Sequence, residues 1–184
     1  SLSQYLEKMP DTQKEIYYIS AETSAQALAS PHLEGFKSKN IPVLIMTDAI
    51  DQFWLPMVGS FKEKKFTSIT QGKINLDELD SKNKDKKNKS NDDKDKQDKE
   101  YVDLIAQLKV VLGDQVKDIR LSSKLTDSPV CLVADEGDMD IAMEQLMAQR
   151  DSNYKGAPRI LEINGDHSLI KNMKSLLSLS LIHI

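Results

Sequence analysis

Between Ser81 and Glu100 the chain reads SKNKDKKNKSNDDKDKQDKE, with no apolar side chain anywhere in the run. A segment of that composition cannot bury enough surface to offset the entropy of ordering it. It reads as a solvated linker over residues 79–100, and it divides the chain into one folding unit at 1–78 and another at 101–178. Lysine is in excess, but interleaved Asp neutralises most of it and no aromatic is present for base stacking, which argues against nucleic acid. A linker-mediated RNA-associated role stands only as an alternative.

The first unit alternates helical and strand-like patterns. Leu2, Tyr5, Leu6 and Met9 repeat at helical spacing behind Ser1 as N-cap, and KEIYYIS is strand-like. Two short helices are expected near 24–29 and 31–39, the second with Pro31 in its first turn. IPVLIMT is a continuous apolar run, as in a strand buried on both faces of a parallel sheet. A mixed helix from Ala49 to Val58, interrupted by Pro56, and the strand KFTSIT complete a small α/β/α sandwich.

In the second unit Val102, Ile105, Leu108 and Leu112 are expected on one helix face, with Gly113 ending that helix. VKDIRLS and PVCLVAD follow as strands about a turn at Thr126, Asp127 and Ser128, entered through Pro129. A helix from about Asp138 to Gln149, the strand RILEI and a helix from near Asp166 give an α+β unit with an antiparallel sheet. The last residues, 179–184, break the preceding pattern, and LSLIHI back-translates naturally into a transposon-adaptor sequence. That tail, His183 included, is read as non-native and set aside.

A net charge of −4 gives no global reason to expect nucleic acid or an anionic membrane as partner. No apolar stretch of about 18 residues and no secretory signal is visible, so a cytoplasmic protein fits best. Cys131, the single cysteine, lies in an apolar run and reads as a small buried hydrophobe. Neither unit has a glycine-rich phosphate turn between strand and helix. Asp48 and Asp51 could hold Mg²⁺ in a small metal-dependent α/β enzyme, the other alternative, but Asp48 is better explained at a helix N-terminus. His32 and His167 lack a second ligand at metal spacing, and His167 in NGDHS reads as a hydrogen-bonding residue at a helix start.

Met139, Met143, Leu146 and Met147 fall at i, i+4, i+7 and i+8, so they share one helical stripe. Such stripes are usually core, yet unbranched, polarizable methionine also suits surfaces that re-pack against many partners. Ile141 lies roughly 200° around the helix from Met139 and is expected to face the sheet.

The stretches SLSQYLEKM, QKEIYYISAE, PHLEGFKSKNIPVLIMTDAIDQF, GDQVKDIRLSSKLTDSPVCLVAD and ILEINGDHSLIKNM occur in this order. Together they resemble the end of the middle domain and the start of the C-terminal domain of bacterial members of the ninety-kilodalton heat-shock (Hsp90) chaperone family. The resemblance implies a homodimeric, ATP- and Mg-dependent chaperone that binds partly folded clients and works with co-chaperones. It also implies that the ATPase residues and dimer helices lie outside this chain, leaving a monomeric fragment with no catalytic residue and no cofactor of its own. By the same resemblance Glu63 and Lys64 fall at the middle-domain client site, and Met139, Met143, Leu146 and Met147 on an exposed client-binding helix. Lys64 stands where an aromatic would strengthen client contact, and Gly165 replaces the proline of the usual NPDH turn.

Overall fold

The computed structural model describes residues 2–10, 13–72, 74, 76, 87–151, 154 and 156–182, the side chains of 87–99 and 178–182 excepted. Ser1 and His183, to which the sequence assigned a cap and a tail, lie outside them, as do residues 79–86 of the expected linker.

The first half runs α1 (Leu2–Lys8), β1 (Glu15–Ser20), α2 (Ser24–Leu28), a 3-10 turn at Pro31–Leu33, α3 (Glu34–Ser38), β2 (Leu44–Met46), α4 (Asp51–Val58), β3 (Ser60–Phe61) and β4 (Lys64–Ser68). Its sheet has the order β2-β1-β4-β3, with β1 parallel to both β2 and β4 and only the short β3 antiparallel. Strand alternation on β1 splits the core between two faces. Ile16 joins Tyr5, Leu55 and Phe66 beneath α1 and α4, whereas Tyr17 and Ile19 join Ala27, Leu33 and Phe36 beneath α2 and α3. Helices therefore cover both faces. The buried Tyr5 hydroxyl ties α1 down by donating to the Pro42 carbonyl at 2.8 Å and accepting from the Tyr17 N–H at 3.1 Å.

One detail differs from the sequence reading. The apolar run at 41–47 does not form a doubly buried central strand: β2 is at the sheet edge and all three of its residues are half-buried. The central strands are β1 and β4, whose Tyr and Thr content disguised their position.

The second half runs α5 (Lys87–Leu112), a 3-10 turn at Gly113–Gln115, β5 (Val116–Leu121), β6 (Val130–Val133), α6 (Ile141–Arg150), β7 (Arg159–Ile163) and α7 (Ser168–Ile182). Residues 87–100 of the expected linker are thus helical, continuing α5 backward from its packed end. Extending an existing helix adds one hydrogen bond per residue fixed, and Lys, Gln and Glu oppose it little. On the packed end the buried residues are Tyr101 and Leu104, with Ile105, Leu108 and Leu112 beside them. Val102, expected on that face, is exposed instead, because the stripe is phased one residue earlier.

The second sheet is mixed, not antiparallel as expected. Its order is β5-β7-β6, with β7 parallel to β5 and antiparallel to β6. The turn between β5 and β6 invites a hairpin reading, but β7 inserts between them because it carries the partners that both need. Ile163 and Leu161 face α5 and α7, while Ile160 packs with Leu125, Cys131 and Val133 on the other face. Glu162 faces the same way as Ile160 and is buried, with its Oε1 receiving Arg120 Nη2 at 2.8 Å and its Oε2 receiving Ser122 Oγ at 2.9 Å.

Candidate functional site

α6 and the segment before it are held almost entirely by polar bonds. Asp140 is the N-cap: its Oδ1 accepts from the Ala142 N–H at 2.9 Å, and its Oδ2 accepts from Thr70 Oγ1 of the first half at 2.7 Å. Glu144 accepts from the Ala157 N–H at 2.6 Å and pairs with Arg159, whose Nη1 donates to the Met139 carbonyl at 2.8 Å. Lys117 bridges Asp135 at 2.8 Å and Asp138 at 3.1 Å, and these hydrogen-bonded carboxylates hold its ammonium above the usual lysine range. With those bonds fixing its position, α6 buries only Ala142.

The methionine stripe is consequently changed in form. Helix α6 begins at Ile141, so Met139 precedes it outside the helix and is 41% exposed. Met143, Leu146 and Met147 do share the helix, half-buried and outside every buried apolar cluster among the described residues. Ile141, expected against the sheet, is half-buried as well, because the angle measured from Met139 does not apply across the cap.

Glu63 and Lys64 stand apart from that segment. Glu63 lies with Lys62 in the β3–β4 connection, where the two take φ of 64° and 47°, the left-handed pair that closes a tight hairpin, and Lys64 opens β4. Glu63 is exposed, while Lys64 is half-buried and donates from Nζ to the Gln13 carbonyl at 3.1 Å. Lys64 is thus partly committed to tying the start of β4 to the segment that leads into β1.

A second apolar surface, which the sequence reading passed over as a mixed helix, lies on α4. Ile50 is 60% exposed, Phe53 37% and Met57 86%, at i, i+3 and i+7, with Val58 beside them. Leu55 on the opposite face is fully buried and Trp54 packs edge-on to Phe66. The spacing of Ile50, Phe53 and Met57 was available in the sequence, but Trp54 and Leu55 between them made the helix look apolar all round.

The remaining chemical candidates resolve into structural roles. Asp51, not Asp48, lies in the first turn of α4, where its Oδ1 accepts from Trp54 Nε1 at 2.7 Å. Among the described residues no three His, Cys, Asp or Glu side chains are grouped to hold a metal ion, and Asp48 and Asp51 belong to no such group. His167 caps α7, its Nδ1 accepting from the Leu169 N–H at 3.1 Å. Cys131 is buried, and burial together with Glu162 pushes its thiol up to about 12. Among the described residues no helix is long and apolar enough to cross a membrane.

A family model for Hsp90 protein matches residues 1–180. The chaperone protein HtpG of Roseobacter denitrificans is 40% identical over 173 residues, covering 94% of this chain and 27% of that protein. HtpG of Wolbachia pipientis wMel is 40% identical over 177 residues, at 95% and 27% coverage, and that of Streptomyces coelicolor 38% over 173 residues, at 94% and 26%. The chain therefore spans about a quarter of the length of the relatives it matches.

Proposed function

The chain belongs to the Hsp90 family, and we propose that it forms a client-docking segment of an ATP-driven chaperone, presenting apolar helix faces to partly folded proteins. The observation that carries this reading is the row Ile50, Phe53 and Met57, three large apolar side chains, Ile50 and Met57 mostly in water and Phe53 partly so, on one face of a helix whose other face is packed. Met139, Met143, Leu146 and Met147 supply a second, shallower surface in which flexible side chains re-pack against varied partners. Glu63 and Lys64, which follow the first surface in sequence, add a charged contribution to client contact in this reading. On the same reading ATP and Mg²⁺ binding, homodimerisation and co-chaperone contacts are the work of the whole chaperone, and client docking is the part assigned to this segment.

The test is binding of the chain to a permanently unfolded probe, reduced and carboxymethylated lactalbumin, with its native disulfide-bonded form as control. Selective binding to the unfolded form that weakens on Phe53→Ser or Met57→Ser is expected. Equal binding to both forms, or binding indifferent to every apolar substitution on α4 and α6, would sink the reading.

A further inference from the structure

No buried apolar cluster spans the two halves, and hydrogen bonds dominate their junction, with only the Val133 side chain close beside Gly72 among the apolar groups described there. Each buried apolar cluster lies wholly on one side of the junction: two are built from residues 2–76 and two from residues 101–177. What crosses is a set of hydrogen bonds, and Glu34 has the largest share. Its Oε2 accepts from the N–H groups of Thr126 and Asp127, each at 2.9 Å, and both its oxygens accept from the Ser128 N–H at 3.1 Å. Ser128 Oγ adds a further short bond to Oε1. Three consecutive backbone donors converging on one carboxylate form an anion cradle.

Four further bonds cross the junction beside it, three donated by the second unit and one by the first. Arg120 Nη2 donates to the Gly72 carbonyl at 2.5 Å and Lys124 Nζ to the Gln71 carbonyl at 3.1 Å. Gly72 N–H donates to the Ala134 carbonyl at 2.9 Å and Ala134 N–H to Thr70 at 3.0 Å. Gly35, next to Glu34, lets α3 come close: a Cβ there would stand 2.6 Å from the Lys124 carbonyl oxygen. Desolvation opposes ionisation of Glu34, yet the bonds from Ser128, Asp127 and Thr126 outweigh it and hold the carboxyl below its usual range.

We propose that Glu34 is the pin of a releasable joint: seated in the 126–128 cradle, its carboxylate sets the orientation of the first unit on the second, and the units part there with their cores intact. An apolar interface would expose core on opening, whereas a carboxylate, three amides and the facing carbonyls regain water for most of what they lose. Because Asp140 bonds both Thr70 and the start of α6, the joint also fixes where α6 stands relative to α4. Glu34 acts here as a positioning residue and touches no client.

The full chain tests this by amide hydrogen exchange, with residual dipolar couplings reporting the mutual orientation of the sheets. In Glu34→Ala the Thr126, Asp127 and Ser128 amides should exchange at least tenfold faster, and the two sheets should lose their single fixed orientation. Glu34→Gln, which keeps the shape but not the charge, should fall between and keeps the test readable if the alanine variant folds poorly. Amides in β1 and β7 should keep wild-type protection. Unchanged exchange at 126–128 in Glu34→Gln and Glu34→Ala overturns the pin. Equal loss of protection in β1 and β7 overturns the joint, since the halves would then open as one cooperative block.

Discussion

The Tyr101 hydroxyl donates to the Gly165 carbonyl at 2.6 Å, joining the packed end of α5 to the turn that launches α7. The fit is close on both sides. A Cβ at Gly165 would lie 3.1 Å from a Tyr101 ring carbon and 3.3 Å from Leu121, tighter than ordinary packing. Lys174 stacks its ammonium 4.8 Å from the same ring and pairs with Glu100 at 2.8 Å, so α7 is clamped to α5 from both ends of Tyr101.

Tyr101→Phe keeps the ring and deletes one bond to a half-buried carbonyl. It should lower the stability of the second unit by about 1 kcal/mol. Urea unfolding followed by a probe in that unit checks it; no change would mean that water replaces the hydroxyl without loss.

Gly35→Ala sets two effects against each other. Alanine favours the helix by about 1 kcal/mol over glycine. The new methyl, however, would meet the Lys124 carbonyl oxygen at 2.6 Å and its Cα at 3.0 Å, and backbone cannot swing aside as a side chain does. Overpacking of this kind costs about 1–3 kcal/mol, so the net effect should be a loss. Faster amide exchange at Thr126 to Ser128 should accompany the lower melting point, because the obstruction lies in the joint.

His32 makes stability depend on pH in a defined window. Burial first, and then the Lys124 cation, push its pKa down to about 4, against the opposing pull of Glu162 and Asp140. In the unfolded chain it titrates near 6.5. The unfolded state therefore binds more protons between those values, so the contribution is complete above about 6.5 and is lost as pH falls toward 4. The full difference corresponds to about 3 kcal/mol. Unfolding free energies measured across that range should slope upward with pH in the wild type and flatten in His32→Gln. A slope equal in both would place the neutral imidazole elsewhere.

Local patterns were legible in the sequence wherever one element packs on its own face. Leu2, Tyr5, Leu6 and Met9 are all found together beneath the first sheet, and His167 does cap α7. What was not legible is pairing between distant segments. RILEI carries an Arg and a Glu, so nothing local marks it as the central strand of its sheet; Arg120, Ser122 and Lys124, some forty residues earlier, make a buried Glu162 tolerable. The joint was equally hidden, because a carboxylate at position 34 and three backbone amides at 126–128 have no shared sequence signature. In the candidate site the methionine spacing was readable, whereas its break at the Asp140 cap depends on Thr70 in the other half.

On α4, the docking reading predicts a separation of stability from binding. Met57→Ser removes a side chain that is already in water, so stability should stay within about 0.5 kcal/mol, whereas Phe53→Ser, at a residue only 37% exposed, should cost about 1 kcal/mol. Leu55→Ala, on the buried face, should cost about 2–5 kcal/mol. Affinity for the unfolded probe should fall about tenfold or more for the first pair, since each large apolar side chain gains roughly 1.5–3 kcal/mol when a partner covers it. Equal destabilisation by all three changes would place the whole helix in the core.

On α6 the same logic applies with a different internal control. Ile141 is half-buried and cannot serve, whereas Ala142 is buried where α6 meets the rest of the unit. Ala142→Leu should overpack that point and cost about 1–3 kcal/mol, tilting the helix without touching its outer side chains. Met143→Gln and Met147→Gln keep length and helix propensity, and neither side chain belongs to a buried cluster, so each should cost under about 1 kcal/mol. If Met139, Met143 and Met147 receive clients, the triple glutamine variant should unfold at nearly the wild-type denaturant midpoint and yet bind the unfolded probe several-fold more weakly. Thr70→Val separates display from packing: it deletes the bond to Asp140, and with it the one to Ser68 Oγ in its own unit, but leaves the methionines in place. Its binding should weaken where simultaneous engagement of α4 and α6 is needed, that is, for a probe long enough to span both helices, and remain unchanged for a short peptide that occupies one. Loss of the short peptide as well would mean that Asp140 supports the α6 surface itself and not its placement relative to α4.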